Sequence, residues 1–315
     1  MHIFDKIYGD FEINERVLIE LINSHVLERL KGISQFGPPA EFYHLPVFSR
    51  HDHSLGVMLL LRKLGADLEE QIAGLLHDAS HTAFSHVIDH LFGDPSKEDY
   101  QDNNHLSILL KFDVKKILEK YNFDVYKIAS LENFPILERE APALCADRLD
   151  YALRELHMLG KADNAIQCAL SLKILNGAIV FDNFERAKEF ALAYMERNRE
   201  HWTGFEAVSR YHQLSLILKE ALDKNFIQLE DMWQTDDFVI KKLYQNGGES
   251  ITSALEQMKN KKTQIRFGIV KSKKFRFVDP KILVGGYAAN LSELDKEYGR
   301  LLESERQGNA AGMEI

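Results

Sequence analysis

Apolar positions recur at helical spacing through most of the first two-thirds of the chain. Val17, Leu18, Leu21, Ile22, Val26, Leu27 and Leu30 share one helix face, and Gly37-Pro38-Pro39 closes that stretch. From His53 the pattern stays apolar at helical spacing to Leu64, breaks at Gly65 and restarts at Asp67. Asp67 suits a helix N-cap, and Glu69 and Glu70 follow it in the first turn, where they complement the helix dipole. The pattern predicts that this second helix ends near His77-Asp78. Further helices are predicted over about 84–92, 104–120, 142–158 and 186–223, the last rich in Ala, Leu, Glu and Lys. Leu172 to Phe181 reads as a hairpin, because Asn176-Gly177 separates two apolar runs. Ile265 to Val284 alternates apolar and basic residues, as in Ile265-Arg266-Phe267 and Lys274-Phe275-Arg276-Phe277, which predicts a second short sheet. The tail from Ser304, ending Gln307-Gly308-Asn309-Ala310-Ala311-Gly312, is expected to fray. The expected fold class is mainly α, with a helical core over 1–165 and a helical C-terminal region over 166–315 that adds small β elements and packs on the core.

Composition narrows the function. The chain has 315 residues, 45% hydrophobic and 28% charged, as an ordinary globular protein does. No run approaches the ~20 apolar residues of a membrane span. The start, Met1-His2-Ile3-Phe4-Asp5-Lys6, lacks a basic segment followed by an apolar one, so the expected compartment is the cytoplasm. Cys145 and Cys168 sit among apolar or helix-forming neighbours and are read as reduced core thiols. A net charge of -9 argues against a protein that coats nucleic acid and leaves room for a small anionic ligand. Of thirteen histidines, eight fall between His44 and His105.

Those histidines gather in Arg50-His51-Asp52-His53-Ser54-Leu55-Gly56 and in His77-Asp78-Ala79-Ser80-His81-Thr82-Ala83-Phe84-Ser85-His86, with Asp147-Arg148-Leu149-Asp150-Tyr151 downstream. Neighbours on a helix point about 100° apart, so His77 and Asp78 can share one metal only where the helix ends. Ala79 and Ser80 fit such an ending. Imidazole and carboxylate donors together suit iron, manganese, zinc, cobalt or nickel better than calcium. A single buried histidine is ordinarily a hydrogen-bonded core residue. A His-Asp doublet with further histidines four and nine residues on has no packing rationale, because each polar group costs free energy to bury alone.

At these residues the sequence resembles the HD superfamily of phosphohydrolases, and within it the deoxynucleotide triphosphohydrolase branch. The resemblance runs from Ile7-Tyr8-Gly9-Asp10 through Arg29-Leu30-Lys31-Gly32-Ile33-Ser34-Gln35-Phe36-Gly37 to the three clusters above. It implies metal ligands at His53, His77, Asp78 and Asp147, and acid–base groups at His81, Asp89 and His105, with His86 in the same cavity. Asp89 is expected to orient His81 as the proton donor to a leaving oxygen. Arg50 is expected to meet substrate phosphate, with Gln35 and Tyr151 on the sugar and Arg148 and Glu155 as further substrate contacts. One divalent transition metal is implied, and a second, magnesium or manganese, stays open. The partner implied is a small phosphorylated substrate, a nucleotide first, with no membrane, little role for nucleic acid and a homo-oligomer as an open option.

Three residues in two places depart from the branch. Leu106 follows His105 where Glu is usual, and Phe205-Glu206 stand where a tyrosine and a basic neighbour are expected. A carboxylate there would repel a triphosphate, so a mono- or diphosphate or another small phosphate ester is the alternative substrate. A non-catalytic nucleotide-binding HD module is the alternative of a different class. The run from Lys259 to Arg276 holds eight basic residues and no acidic one, and reads either as a solvated face or as an effector or nucleic-acid contact.

Overall fold

The computed structural model describes all residues except 261, 263–265, 272 and 273. A short antiparallel pair, β1 (His2–Asp5) and β2 (Gly9–Glu12), precedes α1 (Arg16–Ile22) and α2 (His25–Leu30). The single helix expected over Val17 to Leu30 is therefore two. Ser24 stops the first and caps the second, its hydroxyl accepting from the Leu27 amide.

The centre of the molecule is α3 (Arg50–Lys63), buried on most of its circumference, with Val57 to Leu61 wholly enclosed. Ser49 and Asp52 form a reciprocal capping box at its start, which fixes where His53 falls. Gly65, at φ +80, turns the chain into α4 (Leu68–Leu76), and Asp67 caps that helix as expected by accepting from the Glu70 amide at 2.8 Å. A Cβ on Gly74 would meet Leu61 Cδ1 at 2.3 Å, so the close packing of α4 on α3 needs glycine there.

After α4 the chain makes a short 3₁₀ turn (Ser85–Ile88) and α5 (Asp89–Phe92), then α6 (Tyr100–Lys111), α7 (Val114–Lys120) and α8 (Val125–Ala129). The helix expected over 104–120 is interrupted at Phe112-Asp113, where the Asp113 carboxylate accepts the His25 amide instead of continuing the helix. Next come α9 (Ala146–Met158), packed on α3, and α10 (Ala162–Leu170).

The hairpin at Asn176-Gly177 forms as expected from β3 (Leu172–Leu175) and β4 (Ala178–Phe181). The helix expected over 186–223 is broken into α11 (Phe184–Arg197) and α12 (Phe205–Asp223) by a π-type turn at Asn198–Trp202. Helices α13 (Asp236–Asn246) and α14 (Gly248–Met258) follow.

The expected second sheet is displaced. The region's strands divide between two sheets: β5 (Val270–Lys271) stands apart, while β6 (Lys281–Val284) and β7 (Tyr287–Asn290) extend the β3–β4 hairpin through a parallel pairing of Phe181 with Ile282. Lys274 to Phe277 is not a strand, and Ile265 lies outside the described residues. The Arg276 amide there donates to the Asn198 side chain rather than to a neighbouring strand. The tail is ordered too. After α15 (Leu291–Leu294), α16 (Lys296–Ala310) runs through the segment expected to fray, and β8 (Met313–Glu314) pairs with β5 and leaves Ile315 buried.

One apolar cluster draws residues from Ile7 to Tyr298, and a second joins Phe42 and Ala83 to Ile88 with α12, α13 and α14. The expectation of a mainly α fold holds. Among the described residues no helix is long and apolar enough to cross a membrane.

Candidate metal centre and its cavity

Three helices bring donor atoms to one point. His53 comes from the first turn of α3, His77 and Asp78 from the residues just past Leu76 at the end of α4, and Asp147 from the first turn of α9. His53 Nε2 lies 2.9 Å from Asp147 Oδ1 and 3.3 Å from His77 Nε2, which is itself 3.5 Å from Asp147 Oδ1. These separations suit donors that share one ion at bonds of about 2.0–2.2 Å. Asp78 borders the same point, with Oδ1 3.4 Å from His77 Nε2 and Oδ2 3.8 Å from His53 Nε2.

The remote imidazole nitrogens are tied down. His77 Nδ1 donates to the Gly74 carbonyl at 2.8 Å and His53 Nδ1 to Asp150 Oδ2 at 2.8 Å. That leaves each Nε2 lone pair turned toward the shared point. Two imidazoles and one carboxylate, His53, His77 and Asp147, draw close enough to share an ion, with Asp78 at the margin of the group, and such a donor set fits a divalent transition metal. Burial alone would lower the basicity of His77, but Asp78 and Asp147 carry it up to about 9. Burial likewise opposes the charge on Asp147, and His53 and His77 more than offset it, so that carboxyl sits well below its usual range.

Asp150 is the pivot behind His53. It is fully buried and also accepts Tyr8 Oη at 2.9 Å and Arg154 Nε at 2.8 Å. Arg154 Nη2 reaches on to Asp5 Oδ2 at 2.7 Å, and Asp5 Oδ1 accepts the Ile7 and Tyr8 amides. The β1–β2 hairpin is thereby bonded to the back of the donor cluster. Burial, then the Asp150 charge, pushes the Tyr8 phenol well above its usual pKa and keeps it a donor.

The loop after His77-Asp78 is held from two sides. Arg29 Nη2 donates to the Ala79 and His81 carbonyls, while the Ala83 amide reaches Met232 O and the Phe84 amide reaches Asp236 Oδ1. Phe84 and Ser85 adopt φ +63 and +47, left-handed values that non-glycine residues keep only where surroundings enforce them.

On that loop His81 Nε2 lies 3.2 Å from Asp78 Oδ1. Burial and then Arg50 hold its pKa well down, against the opposing pull of Asp78. Asp89 does not orient His81, because its carboxylate lies 3.2 Å from His86 Nδ1 and accepts the Tyr100 amide at 3.0 Å. His86 and His81 meet edge to face at 4.8 Å. His105 Nδ1 lies 3.3 Å from Ser80 Oγ, and its Nε2 has no hydrogen-bond partner.

Of the expected substrate contacts, Gln35, Arg50, Arg148 and Tyr151 line one cavity of about 570 Å³, together with His77, Asp78, His81, His86, His105 and Asp147. Arg50 spends its guanidinium on Asp78 Oδ2 at 2.8 Å and Ser85 Oγ at 3.0 Å, and Arg148 spends its own on the Ala143 and Arg139 carbonyls. Glu155 lies outside the lining. It accepts His201 Nδ1 at 2.5 Å and Trp202 Nε1 at 2.7 Å, which fixes two cavity residues that the sequence reading missed. Their only sequence signal is the helix break at 198–204, where Gly204 is required because a Cβ would meet Glu200 O at 2.4 Å. Phe205, Glu206 and Leu106, the three departures from the resembled branch, do not line the cavity. Glu206 pairs with Arg210 Nε at 3.1 Å and Phe205 lies under Arg266, so the repulsion expected at Glu206 does not act on the cavity wall.

Part of the basic run does line the cavity, through Lys274 and Arg276 with Phe275 and Phe277. Arg276 Nη2 is ion-paired with Glu98. Burial would raise the Glu98 carboxyl, but the guanidinium draws it down to about 2. A depressed carboxyl contributes stability that is present above its unfolded value of about 4.5 and lost as pH falls through about 2. Glu98→Gln should therefore flatten the acid limb of a denaturation-against-pH profile below about pH 4.5 and leave the slope near neutrality unchanged; equal acid limbs in the two proteins would contradict the pairing.

A family profile described as HD domain matches residues 50–155. The uncharacterised protein YdhJ of Bacillus subtilis is 35% identical over 322 aligned residues, spanning 100% of this chain and 98% of that protein. The metal-dependent phosphohydrolase cns2 of Cordyceps militaris is 34% identical over 74% of this chain and 70% of its own length. The chicken (Gallus gallus) deoxynucleoside triphosphate triphosphohydrolase SAMHD1 is 24% identical over 51% of this chain and 34% of its own length. The matched segment begins at Arg50, ends at Glu155 and contains His53, His77, Asp78 and Asp147. By that segment and by its 34% identity to a metal-dependent phosphohydrolase over 70% of that protein's length, the chain belongs to the HD-domain family of metal-dependent phosphohydrolases and is a hydrolase.

Proposed function

We propose that the substrate is a nucleotide, a deoxynucleoside triphosphate first, bound with its phosphate at the His53–His77–Asp78–Asp147 cluster. The observation that carries this reading is an aromatic group that starts beside the donors. Tyr151 lies 6.2 Å from the His53 ring, Trp202 lies edge to face 5.3 Å from Tyr151, and Tyr194 lies 4.7 Å from Trp202. Flat apolar faces next to a phosphate-handling centre suit a nucleobase, and the distant chicken relative carries a nucleotide activity in its name.

Bound by those four residues, a divalent ion of iron, manganese, zinc, cobalt or nickel supplies Lewis-acid activation of water and phosphate; a second ion, magnesium or manganese, remains compatible with the neighbouring histidines. His86, with Asp89 on its Nδ1 and its ring in the cavity lining, is the proton carrier for the leaving oxygen, because His81 Nε2 is engaged with Asp78. His105 stands behind them with Ser80 at its Nδ1 and its Nε2 without a hydrogen-bond partner. Arg50, held by Asp78 and Ser85, adds positive charge on the phosphate side without giving up those partners, and Gln35, whose Oε1 has no partner, accepts from a sugar hydroxyl.

A second reading has support of its own. Six carboxylates, Asp78, Glu98, Asp102, Glu132, Glu138 and Asp147, line the cavity against four permanent cations. That balance favours a substrate with fewer phosphates. Metal analysis of the purified protein, then phosphate release from a panel of mono-, di- and triphosphates with Mn²⁺, Fe²⁺, Co²⁺ or Mg²⁺, separates the two. Tripolyphosphate release from deoxynucleotides supports the first reading, and activity on monophosphates alone overturns it. His86→Ala should keep its metal and lose about 10²–10⁴-fold in turnover; loss of metal with turnover would remove His86 from that role.

A further inference from the structure

The four permanent cations of the cavity are Arg50, Arg148, Lys274 and Arg276. Each of them already has a protein partner. Arg50 neutralises Asp78 at 2.8 Å, and Arg148 is bound to the Ala143 and Arg139 carbonyls at 2.7 and 3.1 Å. The other two come from a short segment of the basic run, 274–277, which lies against the loop between α5 and α6. Lys274 Nζ donates to Lys97 O at 3.1 Å, Arg276 pairs with Glu98, and the Arg276 amide is pinned to Asn198 Oδ1 at 3.1 Å. Phe275 and Phe277 stack at 4.9 Å on the same segment. That loop leads from Asp89 to the helix that carries His105.

We propose that Arg276, assisted by Lys274, binds substrate phosphate in the active site, and that Glu98 competes with the phosphate for it. The inference rests on the reading of the cavity as a phosphate-ester site. A dianionic phosphate offers a guanidinium fork more acceptor oxygens and more charge than a carboxylate does. The pair is only 20% and 13% exposed, so the exchange takes place in a partly desolvated wall where charge pairing is strong. Glu98 is not orphaned by it, because His86 and Lys274 also act on its carboxyl.

The test uses the metal-loaded full chain and inorganic phosphate as the probe, by calorimetric titration, with metal content checked in each protein. Arg276→Gln should weaken phosphate binding by about tenfold or more, Arg276→Lys should retain part of it, and Glu98→Gln should tighten it, all with unchanged metal. The competition of Glu98 is the discriminating result, since a strut that merely holds 274–277 in place would be damaged equally from either side. Equal weakening by Arg276→Gln and Glu98→Gln, or phosphate binding by Arg276→Gln at the wild-type level, overturns the inference. A wild-type protein that binds no phosphate overturns the phosphate reading of the cavity together with it.

Discussion

His77→Ala is expected to lose bound metal and turnover together, leaving phosphate release at the uncatalysed background. His77 Nε2 stands within 3.5 Å of both His53 Nε2 and Asp147 Oδ1, and its Nδ1 is fixed on the Gly74 carbonyl, so no other side chain can take its place without rebuilding the end of α4. Asp78→Ala should have the same effect on metal and a larger one on the fold. It strips Arg50 of its carboxylate in a site where the two side chains are 5% and 4% exposed, and breaking such a pair costs about 3–5 kcal/mol. Metal content after gel filtration, phosphate release and a thermal melt separate these effects. His77→Ala with metal and activity intact would remove it from the centre.

The second large effect lies one residue behind the donors. Asp150→Ala should weaken metal binding about 10–100-fold, because His53 loses the carboxylate that fixes its tautomer and ring direction. It should also destabilise the chain by about 1–3 kcal/mol, since Tyr8 Oη and Arg154 Nε lose a buried acceptor while Arg154 keeps its pairing with Asp5. Tyr8→Phe removes one hydrogen bond from the same carboxylate and should cost about 1 kcal/mol. Chelator competition gives the first number and denaturant titration the others. Wild-type metal affinity in Asp150→Ala would show that His53 needs no support from α9.

The helix ends that carry the donors were legible because local signals set them. Asp67, Gly65 and the apolar spacing through Leu76 fix where α4 stops, and so where His77 and Asp78 stand. Asp150 was quoted as part of a motif but its role was not visible. Its partner Tyr8 is 142 residues away, and periodicity along one helix reports which face is buried, not what it is buried against. The break at 198–204 escaped for a related reason. Asn198 to Trp202 follows good helix formers, and long-range bonds hold the turn: Glu155 to His201 and Trp202, Tyr43 to His201, and the Arg276 amide to Asn198. The basic run had a correct alternation and a wrong destination, since Arg276 finds Asn198 and Glu98 instead of a neighbouring strand.

The central claim is that His53, His77, Asp78 and Asp147 together hold one catalytic metal. Anomalous diffraction from crystals of the manganese-loaded protein tests it most directly. The account predicts a principal peak enclosed by His53 Nε2, His77 Nε2 and Asp147 Oδ1, with an Asp78 oxygen beside it. A protein that carries metal and releases phosphate while its principal peak lies away from these four side chains would contradict the account.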